Sequence, residues 1–303
     1  MSEEAQAAFL EELLAEKILF ATGVPGVVGR SATFESIVDG FDGLVKKFAK
    51  QDRAEIMRFP PVVTRTNFEK SDYLRSFPQL MGSIHTFVGN ERDHMDLLKT
   101  FEAGEDWSKK LTKTDVVLCP AACYPVYPTL KGIIPDEGRI IDVISYCFRH
   151  EPSPDPARMQ LFRMHENVCI GKPEKVQAFR DSWLERGLSM FRSVGLEPHS
   201  DLANDPFFGR AGKMLAVNQR DQNLKFEILH PITSVEKPTA IASFNYHQDH
   251  FGHLFGIHFE DGSDAHTACV GFGLERITLA LLKKHGLDTK KWPAEIRKTL
   301  DLD

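Results

Sequence analysis

The sequence lacks what would place it in a membrane or outside a cell. No apolar run reaches the length of a bilayer span. Residues 1–19 are acidic and amphipathic, without the basic start of a signal peptide. Cysteine is scarce, with five in 303 residues. Their odd number and wide spread, in a chain large enough to need no staples, suit a reducing cytoplasm, where a special cysteine is a ligand and not a disulfide partner. A basic surplus is missing too: the formal net charge is -6. Phosphate contacts dominate affinity for nucleic acid, so a tRNA-binding chain usually carries a strongly basic surface. A patch can hide in a neutral total, but the balance weighs against tRNA. Internal repeats and low-complexity tracts are absent.

What is present is ordinary for a globular protein: 42% apolar and 26% charged residues, enough for one large domain or two modest ones. Residues 3–19 read as a helix, broken by Gly23, Pro25, Gly26 and Gly29. From Phe34 to Lys50, apolar residues recur at three- and four-residue spacing, the buried face of a helix. The run Ile56-Met57-Arg58-Phe59 reads as a strand that Pro60 and Pro61 end or place at an edge. Further strands are expected at Asp115–Leu118, Arg139–Arg149, Leu161–Gly171, Lys225–Leu229 and Ala240–Asn245, with a weaker one at Leu254–Phe259. Glu174 to Val194 predicts a helix closed by Gly195, and Gly273 to Lys284 a final apolar helix. The order implies an α+β fold with a mainly antiparallel sheet flanked by helices.

Three stretches carry chemistry. Phe148-Arg149-His150-Glu151 is followed by a proline-rich loop and then by Arg158-Met159-Gln160-Leu161-Phe162. Two strands so joined offer an arginine fork suited to a phosphate oxygen, a carboxylate that accepts from an amino group, and a phenylalanine face for a purine. Taken alone, they also read as a surface ion pair and a core phenylalanine. Val270-Gly271-Phe272-Gly273-Leu274-Glu275-Arg276-Ile277 puts glycines, which permit close backbone approach, ahead of a helix with Arg276 in its first turns. Alone it is a glycine turn before a core helix. Phe41 to Val63 is a helix and a strand ending in prolines.

In combination and order, these stretches resemble motifs 2, 3 and 1 of class II aminoacyl-tRNA synthetases, over about residues 34–285. The resemblance implies that catalysis rests on Arg149 and Arg276. Arg149 would hold the α-phosphate of ATP and the activated carboxyl. Glu151 would accept from the adenine amino group, Phe162 and Arg276 would sandwich the ring, and Arg158 would reach the γ-phosphate. Motif 1 implies a homodimer. Pro120-Ala121-Ala122-Cys123-Tyr124-Pro125, Met164-His165-Glu166 and Ala268-Cys269 resemble the zinc-binding segments of the atypical, methanogen-type seryl-tRNA synthetases. This implies a Zn2+ site of Cys123, Glu166 and Cys269, with a fourth position open to the substrate amino group. Spacing alone reads these residues as core, and Cys119 is the less suited ligand.

Those synthetases carry a large N-terminal tRNA-binding domain, whereas only a short helical segment, residues 1–30, precedes motif 1 here. Together with size and acidic charge, this makes the chain most similar to the amino acid:[carrier protein] ligases. That resemblance implies one catalytic domain over residues 1–303. It would activate glycine or alanine as an adenylate and transfer it to the phosphopantetheine thiol of a small acidic carrier protein. Residues 206–223 read as an insertion, in which Arg210, Lys213 and Arg220 either suit an acidic carrier or form a solvated helix face. In the seryl enzymes a glutamate and, three residues later, a serine help hold Mg2+. The serine is here as Ser243, but the glutamate position reads Ala240, and Glu227 on the neighbouring strand is a substitute.

His247, His250, His253 and His258 form a second cluster that could bind a metal, with Gly252 and Gly256 arguing for a loop there. Substrate contacts or plain surface histidines are the other readings. A minimal seryl-type tRNA ligase and a non-catalytic paralogue remain as alternatives to the carrier-protein ligase.

Overall fold

The computed structural model describes residues 2–303, apart from the side chains of Ser2, Arg210, Ala211 and Asn218. The chain starts with α1 (Ser2–Ala15), which stops short of the expected Leu19. Lys17 turns to a left-handed φ of 55°, and β1 (Leu19–Ala21) pairs with β2 (Val28–Arg30). Gly23 and Gly26, at φ 88° and 75°, make the turn between them. The segment 1–30 is therefore a helix plus a hairpin, not helical throughout.

Next comes α2 (Ala32–Gln51), whose N-cap Ser31 accepts from the Phe34 amide. Its apolar face, including Phe34, Ile37, Phe41 and Val45, is buried. Then follow β3 (Glu55–Met57), β4 (Val62–Thr64), α3 (Arg65–Lys70), α4 (Tyr73–Ser76), β5 (Ser83–Thr86), α5 (Glu91–Glu102) and β6 (Thr112–Leu118). After α6 (Val126–Thr129) and β7 (Gly132–Ile133) come the long β8 (Arg139–Phe148) and β9 (Leu161–Gly171). The chain continues through α7 (Pro173–Ser193), β10 (His199–Leu202), α8 (Gly209–Asp221), β11 (Lys225–His230) and β12 (Thr239–Gln248). It closes with α9 (His250–Phe255), β13 (Ile257–His258), β14 (His266–Gly273), α10 (Leu274–His285) and α11 (Ala294–Thr299).

Seven strands form one sheet in the order β10-β11-β12-β14-β9-β8-β3. Only the edge strand β3 runs parallel to its neighbour β8. Helices α2, α7 and α10 cover one face. There Phe272 of β14 meets Phe41, Trp183, Phe191 and Phe244 at ring separations of 6.0–6.2 Å. Burying each such ring contributes roughly 1.5–3 kcal/mol, so this side of the sheet is fixed. Buried His165 of β9 adds a polar tie, its ring nitrogens 2.6 Å from Asp42 of α2 and 2.9 Å from Asp142 of β8. Strands β4, β6 and β5 make a separate three-stranded sheet, which takes the expected strand at Asp115–Leu118.

The expected strand at Leu254–Phe259 is shortened to β13 (Ile257–His258), because α9 runs through Phe255 and Gly256 ends it at φ 65°. The loop expected around His247 to His253 is corrected for the same reason. Gly252 lies inside α9 because a Cβ there would collide with the Ala265 carbonyl oxygen. It marks a close approach of the helix, not a break. Among the described residues, no helix is long and apolar enough to cross a membrane.

Candidate active site

The uncovered face of the large sheet forms the floor of a cavity of about 630 Å³. Strand alternation selects its residues. Cys269, Gly271 and Gly273 of β14 face it while Val270 and Phe272 point into the core. Phe162, Met164 and Glu166 do so from β9, Ser243 and Asn245 from β12, and Lys225 and Glu227 from β11. A Cβ on Gly271 would press on the Met164 side chain at 3.2 Å, so the glycine keeps the floor low.

At one end three arginines converge. Arg149 follows the last residue of β8. Its Nε donates to the Pro120 carbonyl at 3.2 Å, and its guanidinium lies 5.5 Å over the Phe162 ring. Arg276, in the first turn of α10, donates to the carbonyls of Ala157 at 2.8 Å and Ala240 at 3.1 Å. Arg158 is exposed, with Glu151 at 3.6 Å and Asp155 at 3.9 Å. Burial lowers the pKa of Arg276, and the charges of Arg149 and Arg158 lower it further, more than Glu151 and Glu227 offset. This end is short of negative charge, and an anion with several oxygens would relieve it.

Sequence reasoning missed what holds this end together. Glu275, 1% exposed, accepts from the Arg163 backbone amide at 2.6 Å and from its Nε at 2.8 Å. The same guanidinium forks onto Glu35 of α2 at 2.5 and 2.9 Å, and Arg30 lies 3.4 Å from Glu275. Burial alone would lower the Arg163 pKa, but Glu35 and Glu275 override it and raise it. The network joins all three motif regions. Its only signal in the sequence was the Glu-Arg pair at the start of α10.

At the other end Cys123, Glu166 and Cys269 bring one ligand atom each to within 4.8 Å of one another, all buried. Glu166 is aimed by the backbone amides of Ala122 at 2.9 Å and Cys123 at 3.1 Å, and the Cys269 thiol donates to it at 2.8 Å. Burial, then Cys123, then the Glu166 carboxylate push the Cys269 thiol well above its ordinary range. As thiolates, the two cysteines would repel each other and the carboxylate out of water unless a cation joined them. The fully buried Tyr127 hydroxyl has no N or O acceptor and lies against Cys123, whose thiol is pushed up overall: Cys269 lowers its pKa, burial and Glu166 raise it more, and Tyr127 lowers it slightly. A Cys123 thiolate would supply the missing acceptor. The donor set thus fits a thiophilic divalent metal. Cys119 stands apart, its thiol donating to the Ala121 carbonyl at 2.9 Å.

The four histidines do not converge. His247 hydrogen-bonds Thr267 at 3.1 Å, and burial, followed by the charge of His250, pushes its pKa down to about 3, so it is neutral. His253 is exposed beside Asp264, and His258 lies 3.2 Å from the Gly256 carbonyl. Among the described residues, the cysteine–glutamate group is the only cluster suited to a metal.

The third wall is polar. Lys225 reaches Asp205 at 2.6 Å and Glu227 at 3.0 Å, and Glu227 sits opposite Ser243 in the β11–β12 register. Burial pulls the Lys225 ammonium toward neutrality, but the two carboxylates outweigh it and raise its pKa. Beyond this wall lies α8, with Lys213 and Arg220 exposed. The side chain of Arg210 lies outside the described residues.

A sheet of this order, with arginines at the β8 end and at the start of α10, defines the catalytic core of class II aminoacyl-tRNA synthetases. Solved structures show the same fold. The seryl-tRNA synthetase of M. kandleri, solved with A. aeolicus tRNASec, superposes with a TM-score of 0.84 at 22% identity, over 97% of this chain and 60% of that one. The prolyl-tRNA synthetase of Giardia lamblia, solved with prolyl-adenylate, superposes at 0.68 and 13% identity, over 93% of this chain and 53% of that one. No family model matches the chain.

Sequence relatives narrow the class. Amino acid–[acyl-carrier-protein] ligases 1 and 2 of Bradyrhizobium diazoefficiens are 46% and 45% identical over 291 residues, 95% of this chain and 89% and 87% of theirs. The type-2 serine–tRNA ligase of Methanopyrus kandleri is 29% identical over 209 residues, 64% of this chain and 39% of that one. The chain belongs to the amino acid–[acyl-carrier-protein] ligase family.

Proposed function

We propose that this ligase activates a small amino acid, glycine or alanine, with ATP and passes it to the phosphopantetheine thiol of a small acidic carrier protein. In the first step a substrate carboxylate oxygen attacks the α-phosphorus in line, and pyrophosphate leaves. In the second, the carrier thiol sulfur attacks the adenylate carbonyl carbon, AMP leaves, and the thiol proton goes to the departing phosphate or to water. The observation that carries this reading is one cavity with an arginine cluster at one end, a buried cysteine–glutamate donor set at the other, and a basic helix beside it.

Arg149 holds the α-phosphate and the activated carboxyl, where charge develops in the transition state. Phe162 and Arg276 bracket the adenine, Glu151 accepts from its amino group, and Arg158 reaches the γ-phosphate. Positioning and charge neutralisation supply most of such catalysis. Ser243 and Glu227, opposite each other in the β11–β12 register, would help hold Mg2+, with Glu227 in place of the carboxylate that Ala240 lacks. Cys123, Glu166 and Cys269 would hold Zn2+, which when bound would supply a Lewis-acidic position for the substrate amino group. Tyr127 would donate to Cys123 once the metal makes it a thiolate.

Residues 1–303 act as one catalytic domain that pairs as a homodimer through α2 and β3 and works in a reducing cytoplasm. The carrier docks on residues 206–223, where Lys213 and Arg220 flank exposed Met214 and Val217, with Arg210 completing the basic set. The test is exchange of pyrophosphate into ATP across the proteinogenic amino acids. Exchange with glycine or alanine alone is expected. Exchange with none, or selection of a large side chain, would overturn the assignment.

A further inference from the structure

Helix α8 carries the proposed docking face, yet little apolar packing holds it. Among its described residues only Gly212 is buried, and Met214, Leu215 and Val217 are 76%, 48% and 60% exposed. Among its described side chains, Gln219 makes the firm polar tie. The Gln219 Oε1 accepts from the Asp205 backbone amide at 2.7 Å, and its Nε2 donates to the Asp205 carboxylate at 2.8 Å. The other oxygen of that carboxylate takes the Lys225 ammonium at 2.6 Å, and the ammonium continues to Glu227 at 3.0 Å. A continuous polar chain therefore runs from the helix, through the loop before it, to the sheet floor. The loop is braced by Phe207 stacked on Phe77 at 5.1 Å and by the Phe208 amide on the Ser76 carbonyl at 2.9 Å.

We propose that Gln219 and Asp205 are positioning residues, a two-bond clamp that sets α8 in register with the cavity so that a thiol arm entering from a carrier on α8 meets the adenylate. The proposal rests on the reading of α8 as the docking face. The clamp acts more on transfer than on activation. Both of its bonds are local to the α8 wall, whereas Arg149 and Arg276 are held by carbonyls elsewhere. Misplacing a reacting group by about 1 Å costs up to about a hundredfold in rate.

The test compares carrier loading with pyrophosphate exchange in the same preparations. Gln219→Glu sets a carboxylate against Asp205. It is expected to lower the ratio of loading to exchange by about tenfold or more, mainly through kcat for loading. Asp205→Asn combined with Gln219→Glu reverses donor and acceptor, keeps both bonds and leaves Lys225 an amide oxygen, and it is expected to restore the ratio. A parallel loss of loading and exchange, or no recovery in the double variant, would overturn the clamp. Lys213→Glu with Arg220→Glu separates the underlying reading. If that pair leaves the carrier KM for loading unchanged, the docking face is wrong. If it raises KM while Gln219→Glu leaves the ratio alone, only the clamp is wrong.

Discussion

The two walls of the cavity are built in opposite ways. The sheet floor is backed by interlocked aromatic rings and by the Glu35–Arg163–Glu275 network. Its functional side chains hang from strands that cannot shift without breaking that core. The α8 wall is a helix whose described side chains are mostly exposed and are tied through Gln219. The floor can hold small substrates in a fixed reacting geometry, with the ordering entropy met during folding. The helix offers an exposed apolar and basic surface, which suits an encounter with a larger partner steered by charge. On the proposed reading, activation and delivery rest on separable parts of one chain.

Substitutions should separate the two walls, and the largest effect belongs to the floor. Glu275→Ala leaves Arg163 with Glu35 alone and is expected to cost about 3–5 kcal/mol of stability, measured by denaturant unfolding. A loss under about 1 kcal/mol would show that the network is not structural. Arg149→Ala is expected to lower kcat for pyrophosphate exchange by about 10²–10³, the scale for losing a group aimed at developing charge, with the unfolding midpoint little changed. Tyr127→Phe removes only a hydroxyl and is expected to weaken zinc about tenfold or more, read by competition with a chromophoric chelator. Cys123→Ala, Glu166→Ala and Cys269→Ala should each lose the metal outright, while His250→Ala keeps it. The smallest effects belong to the helix. Met214→Ala and Val217→Ala should change stability by under about 0.5 kcal/mol while raising the carrier KM a few-fold.

The same contrast explains what the sequence revealed. Period and caps gave α2, α7 and α10 nearly to the residue, because each buries a full apolar face. The strand signals of the sequence gave β9 at its full length. The motif resemblance named Arg149, Phe162 and Arg276, and the cavity gathers them at one end. Cys123, Glu166 and Cys269 also meet, although spacing could not say so, because only the pairing of β14 with β9 brings Cys269 beside Glu166. The Asp205–Lys225–Glu227 chain was not legible, since its three members come from a loop and a strand with no shared period. Gly252 misled for a physical reason. A glycine that permits close approach inside a helix looks, in one dimension, like a helix breaker. The hairpin at β1 and β2 was hidden because its strands are only three residues each, below the length at which alternation registers.

On the proposed reading, the floor makes the adenylate and α8 admits the thiol. The most direct test supplies the enzyme with ATP and labelled glycine or alanine together with a holo carrier, the same carrier lacking phosphopantetheine, or bulk tRNA. The expected result is label on the holo carrier alone, as a thioester released by hydroxylamine. Label on tRNA, or steady pyrophosphate exchange with no label on any holo carrier, would contradict it.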